Sequence, residues 1–221
     1  METPQPADPT AGADATGPAT APADAHAREL ADTRAFFAER AARWDGKYPD
    51  DSPRYAAAIA DTGLTDGQFV IDAGCGTGRA LPLLRAAVGP SGTVLGVDLT
   101  PEMLEQAAAH RADAALIEAD CTRLPLPDAV ADLVFGAGLI SHLPGPGTGL
   151  RELARVTRPG GRLALYHPLG RAALAARQGR PVTPDDLRAR ERLFPLLAGT
   201  GWKPLSYTDE PTRYLVLAER T

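Results

Sequence analysis

The stretch Val70-Ile71-Asp72-Ala73-Gly74-Cys75-Gly76-Thr77-Gly78-Arg79 governs the reading of everything around it. Phe69 to Asp72 is a short apolar run ending in a carboxylate, the pattern of a buried strand. Three glycines at alternate positions follow. Ala80 to Val88 then carries apolar residues at helical period and is closed by Gly89 and Gly92. Strand, glycine turn and helix in that order make a cradle. Glycine takes positive φ without strain, and lacking a Cβ it lets a ligand approach the backbone.

Outward from this loop, strand and helix patterns alternate. Thr93 to Val97 predicts a second strand, and Thr100-Pro101 supplies an N-cap with proline at the first helical position for a helix to about His110. Third and fourth strands are expected at Ala114 to Glu118 and at Asp132 to Phe135. A helix over Thr148 to Thr157 leads through the turn Arg158-Pro159-Gly160-Gly161 into a fifth strand, Leu163 to Tyr166. A region interrupted by proline and glycine follows, in which Thr183-Pro184-Asp185-Asp186 reads as a capping-box variant opening a helix to about Leu197. Two last strands are expected near Leu205 to Thr208 and Tyr214 to Ala218. Seven strands alternating with helices predict an α/β, doubly wound, mostly parallel seven-stranded sheet with helices on both faces.

Upstream, Leu30, Phe36, Phe37 and Ala41 recur at helical spacing and predict an amphipathic helix running toward Trp44. Gly46, Pro49 and Pro53 break it before a short helix over Arg54 to Asp61. Residues 1–27 have proline at 4, 6, 9, 18 and 22 and no apolar periodicity, so a disordered Pro/Ala-rich tail is expected there. That segment lacks the basic start and apolar stretch of a secretory signal.

At 221 residues and 23.1 kDa the chain suits one sizeable domain, residues 28–221. Aromatic residues are only 5%, so the core must be built mainly from Ala, Leu and Val. Residues 1–27 hold four acids and no Lys or Arg, which leaves 23 basic against 24 acidic residues in the remainder. That near-neutral balance lacks the basic footprint of a nucleic-acid binder or of a membrane-surface protein. No apolar run is long enough for a transmembrane helix. Two cysteines, Cys75 and Cys121, are too few for a disulfide framework and fit a cytoplasmic location.

Asp98 lies 20 residues beyond Gly78, at the carboxyl end of the second strand, where a carboxylate can accept both hydroxyl hydrogens of an adenosine ribose. Asp120 holds the equivalent place on the third strand, beside Cys121 and Leu124, where it can meet an adenine edge. A dinucleotide oxidoreductase would want its third glycine at 79, but that residue is Arg79. A P-loop NTPase is excluded because no G-x-x-x-x-G-K-[ST] occurs.

With these blocks in place the sequence resembles the class I S-adenosylmethionine-dependent methyltransferases, in the type 11, ubiquinone/menaquinone-like branch. The matching segments are VIDAGCGTGRA at 70–80, VLGVDLTPEMLEQA at 94–107, EADCTRLPLPD at 118–128, ADLVFGAGLISHLP at 131–144 and RELARVTRPGGRLALYHP at 151–168. The resemblance implies S-adenosylmethionine as cofactor. It implies that Asp72, Gly74, Cys75, Gly76 and Gly78 line the methionine moiety. Asp98 then holds the ribose within the block that also carries Leu99 and Met103. Asp120 and Cys121 flank the adenine, and Ala137 sits beside the sulfonium. FFAERAARWDGKY at 36–48 is similar to the branch's N-terminal helix and Tyr-Asp segment, with Trp44-Asp45 in that place, and is expected to fold over the cofactor. Three parts follow: a helical cap at 28–66, a cofactor-binding core at 67–168, and specificity helices with the last two strands at 169–221.

Methyl transfer from a sulfonium needs alignment, exclusion of water and sometimes removal of a proton from the acceptor. Bases for that step must lie at the ends of the fourth and fifth strands, where His142 and His167 stand. Tyr48 and Tyr166 are alternates, Tyr166 being expected to point into the core. His26 and His110 lie in the tail and at a helix end, away from that place. No Asn-Pro-Pro-Tyr/Phe sequence follows the fourth strand; in the resembled superfamily that motif marks methylation of nucleic-acid or glutamine amino groups. Its absence and the neutral charge balance favour a small-molecule acceptor. Arg171, Arg177, Arg180, Arg188, Arg190 and Arg192 read as a solvated helix face or as contacts for an anionic acceptor. Asp185 and Asp186 read as helix N-terminal charges, and no metal is expected. A non-catalytic, nucleoside-binding regulator of the same fold is the rival from another class.

Overall fold

The computed structural model describes residues 22–47, 51–110 and 113–221. Seven strands form one sheet: β1 (Phe69–Ala73), β2 (Thr93–Asp98), β3 (Ala115–Glu118), β4 (Ala131–Ala137), β5 (Thr157–His167), β6 (Trp202–Glu210) and β7 (Arg213–Arg220). Their order is β3-β2-β1-β4-β5-β7-β6. Strands β1 to β5 pair in parallel, and β7 runs antiparallel to both β5 and β6. The sheet is therefore mostly parallel, closed at one edge by a hairpin. Strand order reverses beside β1, between β2 and β4. A crevice opens there at the carboxyl ends, which is where doubly wound sheets bind ligands.

Helices cover both faces because both faces are apolar. On one, Val70, Val94 and Phe135 pack against α3 (Ser52–Asp61), α4 (Leu81–Val88) and Ala107 of α5 (Pro101–Ala109). On the other, Ile71, Val134 and Leu163 pack against Leu150 and Leu153 of α6 (Pro146–Val156) and Leu193 and Leu197 of α8 (Arg190–Ala198). Each such leucine taken fully out of water contributes about 1.5–3 kcal/mol. Trp202 closes this second core, its Nε1–H donating to Leu150 O at 2.9 Å. Among the described residues three more α-helices are present: α1 (Pro22–Ala38) and α2 (Trp44–Lys47) precede α3, and α7 (Arg171–Arg177) follows β5. Among the described residues no helix is long and apolar enough to cross a membrane.

Four sequence expectations need correction. Helix α1 begins at Pro22, so residues 22–27, expected in the tail, are helical; residues 1–21 lie outside the described part. No helix opens at Thr183. Asp186 accepts instead from the Arg188 N–H two residues on, at 3.0 Å, and from the Arg188 guanidinium. Such a local side-chain turn competes with helix, and α8 starts only at Arg190. Strand β5 begins at Thr157 because a register shift between Ala131 and Leu133 absorbs the Pro-Gly-Gly segment. Helix α7 occupies part of the region read as interrupted.

Candidate functional site

The glycine loop lies across the crevice. Gly74, Gly76 and Gly78 all have positive φ, of 66°, 54° and 83°. Two of them show what that freedom is for. A Cβ on Gly78 would sit 3.0 Å from Leu81 and from Ala107, so this glycine lets α4 and α5 close together. A Cβ on Gly76 would meet nothing within 4 Å, so its side is open toward the crevice. The loop is tied to β2: Cys75 N–H donates to Val97 O at 2.9 Å, and Gly76 N–H to Asp98 Oδ2 at 2.8 Å.

Behind the loop stands Asp72, 1% exposed, with neither carboxylate oxygen hydrogen-bonded. Burial, and secondarily the charge of Asp98, push its carboxyl up to about 8. Such a group calls for a cationic hydrogen-bond donor. Asp98 has Oδ1 accepting from Thr100 N–H at 2.9 Å, and burial raises it as well. Asp120 accepts from Thr122 N–H at 2.8 Å and from Thr122 Oγ1 at 2.6 Å. Burial pushes the Cys121 thiol up to about 12 and raises Cys75 further, so neither is a ready nucleophile. Met103 is buried in α5, and Leu99 follows Asp98 with its carbonyl accepting from Arg34 Nε at 3.0 Å.

The acceptor end lies beyond β4 and β5. Ala137 ends β4 opposite Tyr166 of β5, whose buried hydroxyl has no partner. His142 follows β4 and is met by Phe37 of α1 with ring centroids 5.0 Å apart. His167 ends β5; its Nδ1 is engaged by the Leu169 backbone, 2.9 Å from the carbonyl and 3.0 Å from the amide nitrogen. Burial, then the charge of Arg188, lowers His142; His167 falls to about 4, mainly by burial. Arg188 thus lies near both rings, where it is 4% exposed and held by Asp186. Asp186 and Arg171 join this group at 4.0 Å, and Arg171 binds Asp209, so Arg188 is buried and Arg171 half-buried in paired charges, while Arg177, Arg180, Arg190 and Arg192 are exposed, as a solvated face would be.

The structure adds contacts beyond those expected from the sequence. Asp45 of α2 accepts from Thr77 Oγ1 at 2.8 Å and Arg79 Nε at 3.0 Å, which pins the N-terminal segment to the glycine loop. Asp45 and Arg79, with Asp51, Tyr55 and His110, line a cleft of about 350 Å³ beside Gly78. His26 reaches Asp120. Its signal was present, four residues before Leu30 at helical spacing, but composition assigned it to the tail. Tyr48 lies outside the described residues.

The strand order, the glycine loop on β1 and the acids on β1 to β3 have the arrangement of a class I S-adenosylmethionine-dependent methyltransferase domain. A family model described as "Methyltransferase domain" matches residues 71–165. Similar relatives include 27-O-demethylrifamycin SV methyltransferase of Amycolatopsis mediterranei, 38% identical over 46% of this chain and 39% of its own. Trans-aconitate 2-methyltransferase of Azoarcus sp. is 37% identical over 57% of this chain and 51% of its own. The chain thus spans about half or less of the length of these relatives. Magnesium protoporphyrin IX methyltransferase of Synechocystis PCC 6803, solved with bound SAH, aligns with TM-score 0.63 and 17% identity over 87% of this chain and all of its own, a likeness of fold. The class uses S-adenosylmethionine, and the residues present fit it: an unpartnered buried carboxylate for its ammonium, and a loop open in front for its amino-acid end.

Proposed function

We propose that the protein transfers the methyl group of S-adenosylmethionine to a small-molecule acceptor seated over the carboxyl ends of β4 and β5. The observation that carries this reading is Asp72, a buried carboxylate with both oxygens unpartnered behind an open glycine loop. An ammonium on the ligand completes it, and a nicotinamide dinucleotide has none to offer. When bound, the cofactor supplies a methyl group already activated on sulfonium, with a neutral thioether as leaving group.

The chain contributes binding, alignment and dryness. Asp72, Gly74, Cys75, Gly76 and Gly78 surround the amino-acid end, and Asp98, with Leu99 and Met103 nearby, takes the ribose hydroxyls. Asp120 and Cys121 flank the adenine, and Ala137 stands beside the sulfonium. Phe37 packs on His142, and Trp44, its ring centroid 5.5 Å from that of Phe37, extends this roof, which keeps water from the acceptor. His167 is neutral at ordinary pH, and in the tautomer whose Nδ1–H donates to the Leu169 carbonyl its Nε2 is unprotonated and can accept an acceptor proton. Oxygen, nitrogen and carbon acceptors all fall within this reading. Relatives named for 27-O-demethylrifamycin SV and trans-aconitate support a small-molecule acceptor. The near-neutral charge balance supports the absence of nucleic-acid and membrane partners, and with the two cysteines it fits a cytoplasmic location.

A ligand at about 100 times its dissociation constant stabilises the native state by roughly 2.7 kcal/mol. For a domain of this size that is a rise in Tm of roughly 5–11 °C. S-adenosylhomocysteine should give that rise, and NAD or NADP little. Labelled methyl from the cofactor should then appear in a small product when the protein is incubated with extract fractions. Stabilisation by NAD alone would overturn the reading, and stabilisation by S-adenosylhomocysteine with no labelled product would favour the nucleoside-binding regulator.

A further inference from the structure

Helix α1 buries one stripe. Between residues 25 and 37 of this helix, His26, Leu30, Thr33 and Phe37, spaced four, three and four residues apart, are half-buried and the positions between them are exposed. That spacing puts them on one face. The face lies across the sheet's carboxyl edge, with Phe37 against His142 at the acceptor end and His26 against Asp120 at the other. Between them Arg34 bonds the Leu99 carbonyl at 3.0 Å and Glu118 at 2.8 Å. His26 is therefore fixed in place by the period of the helix and by Arg34.

The bonding of Asp120 shows what His26 does there. A carboxylate offers about four lone-pair positions. Oδ1 accepts from Thr122 N–H at 2.8 Å; Oδ2 accepts from Thr122 Oγ1 at 2.6 Å and faces His26 Nε2 at 3.2 Å. Three positions are taken and the carboxylate is held from two sides, by its own turn and by α1. One position, on Oδ1, remains for an outside donor. The exocyclic amine of a 6-aminopurine is such a donor, whereas the carbonyl of a 6-oxopurine would face the carboxylate as a second acceptor.

We propose that His26 is a positioning residue for the base of the cofactor: by donating to Asp120 it holds that carboxylate in the orientation that accepts a 6-amino group. Base selectivity is then completed by the N-terminal helix and does not reside in the core alone. This rests on the assignment of Asp120 to the adenine.

The test measures the dissociation constants of S-adenosylhomocysteine and S-inosylhomocysteine on the full chain by calorimetry. The native protein should prefer the adenosyl ligand. His26→Ala should weaken S-adenosylhomocysteine about fivefold to tenfold, the loss of one hydrogen bond to a charged group, and leave S-inosylhomocysteine nearly unchanged, so that the preference shrinks. His26→Gln, which keeps a donor at similar reach, should restore most of it. Equal weakening of both ligands would mean that α1 had merely loosened, and unchanged affinity for both would mean that His26 does nothing there; either result overturns the proposal. Asp120→Asn separates the underlying assignment, because an unchanged ligand preference in that variant removes Asp120 itself from base reading.

Discussion

The sheet's crevice and the helix that roofs it are held by different forces. Around the glycine loop, Val70, Ile71 and Ala73 are fully buried, and the loop is stitched to β2 by main-chain bonds. Helix α1 contributes no fully buried side chain among its described residues. It rests on a half-buried stripe and on polar pairs such as Arg34 with Glu118, both about half exposed at 48% and 47%. Exposed pairs of that kind contribute about 0–1 kcal/mol each. The crevice is thus a tightly packed template and the cover a more weakly held layer, which suits the proposed exchange of a cofactor beneath it.

The largest expected effect tests that contrast head on. Leu153→Ala, in the fully buried core, should cost about 2–5 kcal/mol in urea unfolding, whereas Leu30→Ala on α1 should cost less than about 1 kcal/mol. Comparable losses would show that α1 belongs to the core. Next, Asp98→Ala, which on the proposed reading removes two charge-assisted bonds to a ribose diol, should lower S-adenosylhomocysteine affinity about 30- to 1000-fold. A change within threefold would remove Asp98 from the template.

His167→Ala should lower turnover about 100-fold with cofactor affinity intact, and His142→Ala should cost less. Because His167 is held near 4, turnover should show no titration of this residue above about pH 5. Equal, small losses in both variants would assign the rate to alignment alone.

The smallest effect is thermodynamic. Asp72 keeps its proton in the native state up to about pH 8, while in the unfolded chain it loses it near 4. Between those values the native state binds more protons, so Asp72 makes stability fall as pH rises through that window. Asp72→Asn should therefore raise the Tm of the ligand-free protein more at pH 8.5 than at pH 5, while weakening S-adenosylhomocysteine. A gain independent of pH would mean that Asp72 is already ionised in the fold.

What the sequence revealed and what it hid follow the same division. Asp72, the glycines, Asp98 and Asp120 are local signals, since each stands at the end of an apolar run and is followed by a turn. Asp45 could be placed near the cofactor by position, but its bond to Thr77 spans 32 residues and has no periodic trace. His26 meets a partner 94 residues away, and a proline-rich background masked its helical phase. Around Thr183 the local helix signal was overridden from afar. Arg188 is buried with its carbonyl accepting from Tyr207 and Tyr214 hydroxyls at 3.0 Å, so Asp186 turns to that arginine and the cap is never formed.

The chain has two tryptophans, and the fold assigns one to each layer. Trp202 is sealed at 1% exposure with its indole N–H bonded to Leu150, while Trp44 stands half-buried at the start of α2 against Phe37. Their fluorescence should separate accordingly: a blue, quencher-resistant band from the interior and a redder, iodide-accessible one from the roof. Substituting Trp202 by Phe leaves Trp44 as the sole tryptophan. Its emission then reports the packing of Trp44 against Phe37, so any rearrangement of the roof reads out as a shift in wavelength or quenching, without an attached label.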